Sequence, residues 1–145
     1  MVYDSGLIVN PTLPYRGATP DGKVYDPTCT THFGLVEIKC PHRFRNKTLE
    51  EACADRNFHC TMEDGVAKLK HEHKSRYYDQ VQGQLALSGL QWCDFVTYLS
   101  GSHTITAERV FFDSQYWNNT LLPKITNFYF CHAFPHLDKK YFKSN

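Results

Sequence analysis

The sequence lacks the features that mark a membrane protein or a secreted protein. None of its apolar runs approaches the roughly 20 residues that a membrane-spanning helix needs. Its first residues, MVYD, do not form the basic and then apolar pattern of a signal peptide. We therefore expect an intracellular protein, nuclear or cytoplasmic, with no membrane partner.

The six cysteines include no CxxC pair and follow no regular framework of spacings. Cys53, His59 and Cys60 could supply half of a zinc site, but tetrahedral zinc requires further paired ligands close by. Reduced, partly buried thiols in an intracellular protein are the simpler interpretation.

The sequence also has little net charge, with 16 Lys and Arg residues against 15 Asp and Glu residues and a formal net charge of +1. A protein that binds nucleic acid across a broad face is often more basic, so contact with DNA would have to come from a local patch. The basic residues of one such patch are Lys68, Lys70, His71, His73, Lys74 and Arg76. From charge alone, a solvated run that leads into a helix is the simpler explanation.

No internal repeat, low-complexity stretch or linker divides the chain, so residues 1–145 are expected to form one domain. Residues 1–15 are predicted to be extended and to belong to something longer. The remaining pattern predicts an α/β fold with a mixed central sheet flanked by helices. The predicted elements are strands at 22–24 and 35–39, a helix at 48–57, a hairpin of 58–62 with 66–70, a helix at 75–88, strands at 93–99 and 104–112, and an amphipathic helix through 116–129.

Two acidic residues and one lysine carry the clearest chemical signal. Asp21 lies in a Pro-Asp-Gly turn, and Glu37 and Lys39 follow on a predicted strand. Because side chains alternate along a strand, Glu37 and Lys39 are expected to share one face. Carboxylates can hold a hard divalent cation, and a neighbouring amine can orient water or neutralise a phosphate. The spacing therefore predicts metal-dependent phosphodiester cleavage, although each motif alone is also common as a turn or a solvated ion pair.

The helix predicted at 75–88 adds amide side chains to this set. Its sequence YYDQVQGQL places Gln80 and Gln84 near Tyr77 and Arg76 on adjoining faces, whereas Gln82 falls on another face. Amides both donate and accept hydrogen bonds, so they suit a phosphate or a metal-bound water. An ordinary solvated helix face would look the same in sequence.

Taken together in order, three segments resemble the YqaJ-like viral recombinase family, which belongs with lambda exonuclease in the PD-(D/E)xK nuclease superfamily. These segments are ATPDG at 18–22, LVEIKCP at 35–41 and YYDQVQGQL at 77–85. The resemblance extends from about residue 6 to residue 134 and implies a restriction-endonuclease-like α/β core. It also implies hydrolysis of DNA that depends on Mg²⁺ or Mn²⁺, as a 5′-to-3′ exonuclease on linear duplex, with a ring-like homotrimer and a recombinase partner.

Carried over residue by residue, the resemblance makes Asp21 and Glu37 metal ligands, together with the backbone carbonyl of Ile38. Lys39 would position the attacking water, and Gln80 would complete the catalytic set. The residues implied to contact DNA are Tyr77, Arg76, Lys74 and Lys70.

The sequence departs from the family at two places. Helices that supply a further acidic residue and hold the 5′ phosphate are expected before the turn, but only a short segment precedes Asp21 here. The segment between Asp21 and Glu37 is longer than in the phage enzyme, and its loop at 26–33 has no assigned role. An endonuclease on the same core, or a DNA-binding and assembly module with weak catalysis, stay open as alternatives.

Overall fold

A five-stranded mixed sheet forms the centre of the structure, a computed structural model that describes residues 1–71 and 76–142. In chain order the strands are β1 (Val2–Asp4), β2 (Ile8–Val9), β3 (Gly17–Ala18), β4 (Gly22–Tyr25), β5 (Phe33–Lys39), β6 (Cys60–Glu63), β7 (Val66–Leu69), β8 (Trp92–Leu99) and β9 (Thr104–Phe111). The helices are α1 (Leu49–Ala54), α2 (Arg76–Ser88), α3 (Ser114–Tyr116), α4 (Leu122–Phe128) and α5 (Phe134–Tyr141).

The central sheet has the strand order β1-β4-β5-β8-β9, and β5 and β8 pair in parallel while the other neighbours pair antiparallel. A parallel pair needs a long crossover connection, and here α1, the β6–β7 hairpin and α2 supply it. The expected mixed sheet flanked by helices is therefore confirmed.

The main core lies between this sheet and α2. Three side chains at helical spacing, Tyr78, Val81 and Leu85, are buried against inward-facing residues of the sheet such as Leu35 and Phe95. This packing fixes which side of β5 faces the helix, and it therefore fixes the side of the sheet on which Glu37 and Lys39 lie.

Helix α1 begins as the sequence predicts but ends earlier. Thr48 accepts a hydrogen bond from Glu51 N, and the Glu51 side chain accepts one from Thr48 N, which forms a capping box. The predicted end at residue 57 is wrong, because Asp55 is extended. Its side chain instead accepts hydrogen bonds from Asn57 N and Nδ2, and this local turn competes with a further helical turn.

The hairpin of β6 and β7 forms around Asp64-Gly65, as predicted, and both turn residues have positive φ. The segment predicted to be extended, residues 1–15, is extended only up to residue 10, because residues 11–15 form turns closed by the hydrogen bonds Leu13 N to Asn10 O and Arg16 N to Leu13 O. The sequence does not predict how these residues pair. In the structure β1 adds to the edge of the sheet beside β4, and β2 pairs with β3.

The opposite face of the sheet carries a smaller cluster around Trp92, packed on Val24 and Val36. A Cβ atom on Gly34 would collide with the Trp92 ring, so glycine is required at this close approach. The Arg109 guanidinium stacks on the same indole at 3.7 Å from the ring centroid.

Arg109 also holds the loop at 26–33 whose role was unassigned. Its Nη1 donates to Asp26 Oδ2 at 2.9 Å, and its Nε and Nη2 donate to both oxygens of Asp94 at 2.7 and 2.8 Å. Trp92 Nε1 donates to the carbonyl of Thr31 at 2.8 Å. The loop between β4 and β5 is thus bonded to the back of the sheet through β8 and β9.

The last helical segments extend beyond the predicted end at 129. Turns of π-helix at Trp117–Leu121 and Tyr129–Ala133 join α3, α4 and α5 into a helical run that reaches Tyr141. Its second half is largely exposed, so core packing does not mark its end in the sequence. Among the residues that the structure describes, no helix has the length and apolar character needed to cross a membrane.

Candidate active site

Strand β5 presents Glu37 and Lys39 on the face that α2 covers, as the alternation of side chains predicts. The carboxylate of Glu37 is 2% exposed. Its Oε1 accepts hydrogen bonds from Lys39 Nζ and, at 2.7 Å, from Gln80 Nε2. Its Oε2 accepts one from Gln84 Nε2 at 2.8 Å. Three donors from two elements therefore converge on one buried acid.

Such a carboxylate needs partners, because burying a charge without them is strongly unfavourable. The two glutamines lie one helical turn apart on α2, so both amides can face the same strand. A strand rich in apolar residues thus carries an acid that the helix solvates with amide groups.

Asp21 reaches the same strand from the end of β4. Gly22 pairs with Val36, so Asp21 occupies the next position along the ladder, beside Glu37. Its Oδ2 accepts a hydrogen bond from Ile38 N at 2.7 Å. In a strand, the N–H and C=O of one residue point towards the same neighbour, so the Ile38 carbonyl also faces the end of β4.

The pKa of the buried Cys93 thiol is affected by the charges of these acids. The pKa of Cys93 is raised to about 12, mainly by burial and in part by the negative charges of Glu37, Asp94 and Asp21. Cys93 lies on β8 and pairs with Leu35 of the neighbouring strand β5. Both candidate acids are therefore close enough to act on one buried group.

The ammonium of Lys39 lies 4.9 Å from the centroid of the Tyr77 ring, while it also pairs with Glu37. Tyr77 contacts the imidazole of His59 edge to face, with ring centroids 5.1 Å apart. His59 Nε2 in turn forms a hydrogen bond of 2.7 Å with Thr97 Oγ1. Thr97 lies opposite Lys39 in the parallel ladder of β5 and β8.

His59 is buried, and its pKa is lowered to about 4, mainly by this burial and in part by the charges of Lys39 and Lys70. The imidazole is therefore neutral at neutral pH and can support Lys39 without repelling it. The sequence suggests for His59 only a place beside Cys53 and Cys60 in half of a zinc site. The residues described in the structure contain no group of three or more His, Cys, Asp or Glu placed to hold a metal ion.

No pattern in the sequence predicts that Thr97 lies near Lys39 or that His59 contacts Tyr77 and Thr97. Their positions depend on the parallel pairing of β5 with β8 and on the packing of the β6–β7 hairpin, which are both long-range features. Gln84, by contrast, could be found from its one-turn spacing from Gln80.

The four residues expected to contact DNA differ in their environments. Arg76 is exposed at the first residue of α2, and Tyr77 is half-buried against Lys39. Lys70 Nζ donates to the carbonyls of Phe58, Arg56 and Asp55, at 2.6, 3.2 and 3.4 Å. Lys74 lies outside the described residues.

The sequence matches the YqaJ-like viral recombinase domain over residues 1–91. The chain belongs to this family. That stretch contains Asp21, Glu37, Lys39 and the whole of α2, so the match covers the candidate site.

Two solved structures are similar to this YqaJ-like chain. One is an alkaline exonuclease, LHK-Exo, from Laribacter hongkongensis, and the other is LHK-Exo in complex with dAMP. Each is 31% identical and aligns over 87% of this chain with a TM-score of 0.53, which confirms the fold class.

The YqaJ-like chain spans only about half the length of these exonuclease chains, with 51% and 52% of them covered. No curated protein matches the sequence.

Proposed function

We propose that this YqaJ-like chain is a metal-dependent deoxyribonuclease that hydrolyses phosphodiester bonds as a 5′-to-3′ exonuclease on linear duplex DNA. The observation that supports this best is the buried Glu37 carboxylate, which Lys39, Gln80 and Gln84 contact beside Asp21 on the adjoining strand. The 31% identity to an alkaline exonuclease supports the same chemistry.

The residues at this place fit a hard divalent cation. Two carboxylates, Asp21 and Glu37, and the carbonyl of Ile38 are all oxygen donors at adjacent positions, as Mg²⁺ and Mn²⁺ prefer. Such a cation, when bound, would supply Lewis-acid stabilisation of charge on the phosphate.

Lys39 would orient the attacking water and offset the charge that builds on the phosphate. Its contacts with Glu37 and Tyr77 hold the ammonium beside the candidate metal ligands. In the reaction, a water oxygen bonds to phosphorus while the bond from phosphorus to the leaving sugar oxygen breaks. The attacking water loses a proton to solvent and the leaving sugar oxygen takes one from solvent, so that the products are a phosphate monoester and a sugar hydroxyl. Gln80, which is exposed and still bonded to Glu37, would hydrogen-bond a phosphate oxygen.

The direct test compares linear duplex, circular duplex and single-stranded DNA, each with Mg²⁺. We expect loss of linear duplex alone, and Lys39→Ala should lower its rate by about 100-fold or more. Lys139→Ala, an exposed lysine on α5, serves as the matched control and should keep the full rate. Cutting of circles would instead identify an endonuclease. Absence of any metal-dependent loss would reject the nuclease and leave a DNA-binding or assembly module.

A further inference from the structure

His59 is a buried polar side chain that lies among aromatic rings rather than among the proposed metal ligands. It comes directly before β6, in the crossover connection between β5 and β8, and it is 7% exposed. Its ring contacts the rings of Phe58, Phe95 and Tyr77, with centroid distances of 4.4, 5.5 and 5.1 Å. A phenyl ring would fill this space without polar atoms that need partners, so packing alone does not account for an imidazole here.

A hydrogen bond to Thr97 fixes the orientation of this imidazole. Nε2 of His59 lies 2.7 Å from Thr97 Oγ1, and Thr97 is 1% exposed. A hydroxyl can donate or accept, so the bond can form with either tautomer of the neutral ring. Thr97 pairs with Lys39 in the parallel ladder of β5 and β8, and a β-branched side chain has few rotamers available. The ring is therefore tied to the strand beside Lys39 and not only to its own segment.

The backbone that carries the imidazole is held by Lys70, the residue that follows β7. Lys70 N donates to the carbonyl of His59 at 2.9 Å, and Lys70 Nζ donates to the carbonyl of Phe58 at 2.6 Å. The same ammonium also donates to the carbonyls of Arg56 and Asp55, at 3.2 and 3.4 Å. Hydrogen bonds from a charged donor are stronger than those from a neutral one. Both the side chain and the backbone of His59 thus have a fixed position in the fold.

The imidazole in turn limits where the Tyr77 ring can lie. The two ring planes are 89° apart, which is the edge-to-face arrangement that aromatic pairs prefer. The Lys39 ammonium lies over the Tyr77 ring, 4.9 Å from its centroid, where the ring attracts a cation. Mainly because it is buried, His59 has a pKa of about 4, so at neutral pH it carries no charge that would repel this ammonium. A chain of contacts therefore connects Thr97, through the two rings, with Lys39.

We propose that His59 and Thr97 are positioning residues for the reaction of Lys39. By fixing the Tyr77 ring, they hold the ammonium in the orientation that hydrolysis requires, so this inference rests on the proposed nuclease function. The hydrogen bonds of the two candidate metal ligands described above come from other residues. Loss of the bond between His59 and Thr97 should therefore slow the chemical step and leave the metal affinity unchanged, because a small displacement of one reacting group is enough to lower the rate.

The first test compares Thr97→Val, which removes the hydroxyl, with Thr97→Ser, which keeps it. On linear duplex DNA with Mg²⁺, Thr97→Val should lower kcat by about ten- to hundred-fold with KM unchanged, because the lost contact acts in the transition state. Thr97→Ser should keep the wild-type kcat. Thr106→Val is the matched control, because Thr106 is half-buried, pairs with Thr97 from the neighbouring strand β9, and should keep the full rate. A folded Thr97→Val variant with the wild-type kcat, or a Thr97→Ser variant as slow as Thr97→Val, would overturn the proposal.

The second test asks whether His59 and Thr97 act as one unit. His59→Phe keeps a ring beside Tyr77 but removes Nε2, and it should lower kcat about as much as Thr97→Val does. The double variant should be no slower than either single variant, because both substitutions break the same contact. It also leaves neither a ring nitrogen nor a hydroxyl unpaired, so it should fold even where a single variant does not. Losses that multiply in the double variant, or a folded double variant with the wild-type kcat, would reject the proposal.

Nuclear magnetic resonance of isotope-labelled lysine side chains gives a readout that needs neither metal nor hydrolysis. The Lys39 signal is identified by its loss in Lys39→Arg, and the ring current of Tyr77 should displace it from the signal of an exposed lysine such as Lys139. This displacement should shrink in Thr97→Val and persist in Thr97→Ser. A displacement that is the same in Thr97→Val as in the wild type would overturn the proposal.

The two proposals can therefore fail separately. A chain whose Lys39 signal depends on Thr97 but which hydrolyses no DNA would reject the nuclease function, and His59 and Thr97 would then orient the ammonium without a role in that reaction. A chain that hydrolyses DNA equally well in the wild type, Thr97→Val and His59→Phe would reject only the positioning role.

Discussion

Glu37 shows at the scale of single residues how a strand can hold a buried acid. Its carboxylate is 2% exposed, and Lys39, Gln80 and Gln84 all donate to it. Asp21 differs, since it is exposed and accepts its hydrogen bond from a backbone N–H. Because Glu37 is buried and Asp21 is exposed, a substitution of Asp21 can separate an effect on metal binding from an effect on the stability of the fold.

Asp21→Asn should abolish binding of Mg²⁺ or Mn²⁺ with little loss of fold stability. Asparagine keeps an oxygen that can accept from Ile38 N, but it loses the negative charge that a hard cation needs. Isothermal titration calorimetry measures the binding, and thermal melting measures the stability. Asp64→Asn, at the exposed turn of the hairpin, is the matched control and should change neither. Metal affinity equal to that of the wild type would remove Asp21 from the site.

His59 should make the stability of the fold depend on pH below about 6.5. Burial lowers its pKa from 6.5 to about 4, so between these values the unfolded chain binds a proton that the folded chain does not. The free energy of unfolding therefore keeps its full value, as far as His59 is concerned, above pH 6.5. It falls by about 3 kcal/mol at most as the pH is lowered towards 4.

Urea unfolding at a series of pH values between 4 and 7 measures this slope. The variant His59→Gln should flatten it, whereas His136→Gln, at an exposed histidine on α5, should leave it as in the wild type. A slope that His59→Gln does not change would show that His59 titrates normally in the folded protein.

At the scale of elements, one face of α2 packs in the core and an adjoining face carries the amide groups of Gln80 and Gln84. Leu85 is fully buried on the first face. Leu85→Ala should lower the free energy of unfolding by about 2–5 kcal/mol, measured by urea denaturation. Leu137→Ala, at a side chain that is 39% exposed on α5, should have a much smaller effect. A similar loss of unfolding free energy in both variants would mean that Leu85 is not part of the core.

The elements that local patterns define were predictable from the sequence. The capping box at Thr48, the turn at Asp64-Gly65 and the alternation along β5 each depend on a few neighbouring residues. The same patterns predicted that Glu37, Lys39 and Gln80 lie near one another, and in the structure Lys39 and Gln80 both donate to Glu37.

What sequence reasoning missed depends on distant pairing. The bonds of Arg109 to Asp26 and Asp94 and the contact of His59 with Thr97 join segments far apart in the chain. No local period records which strand lies beside which, so such partners become visible only once the topology is known.

For the whole molecule, the fold matches that of an alkaline exonuclease, but this chain spans only about half of that protein. A ring-like homotrimer and a recombinase partner remain predictions from the family resemblance. Light scattering coupled to size exclusion should give a mass three times that of the 16.8 kDa chain. A mass equal to that of one chain at micromolar concentration would contradict the trimer.

The parallel pairing of β5 with β8 also determines when the centre can form during synthesis. Glu37 and Lys39 are synthesised before β8, the parallel neighbour of their strand, which begins only at Trp92. More than fifty residues must therefore be made and looped back before the acid and the amine acquire their buried surroundings, and closing so long a loop is slow. A ribosome-bound chain halted before Trp92 would leave the edge of β5 that β8 covers unpaired, and in that interval the chain would be most vulnerable to aggregation.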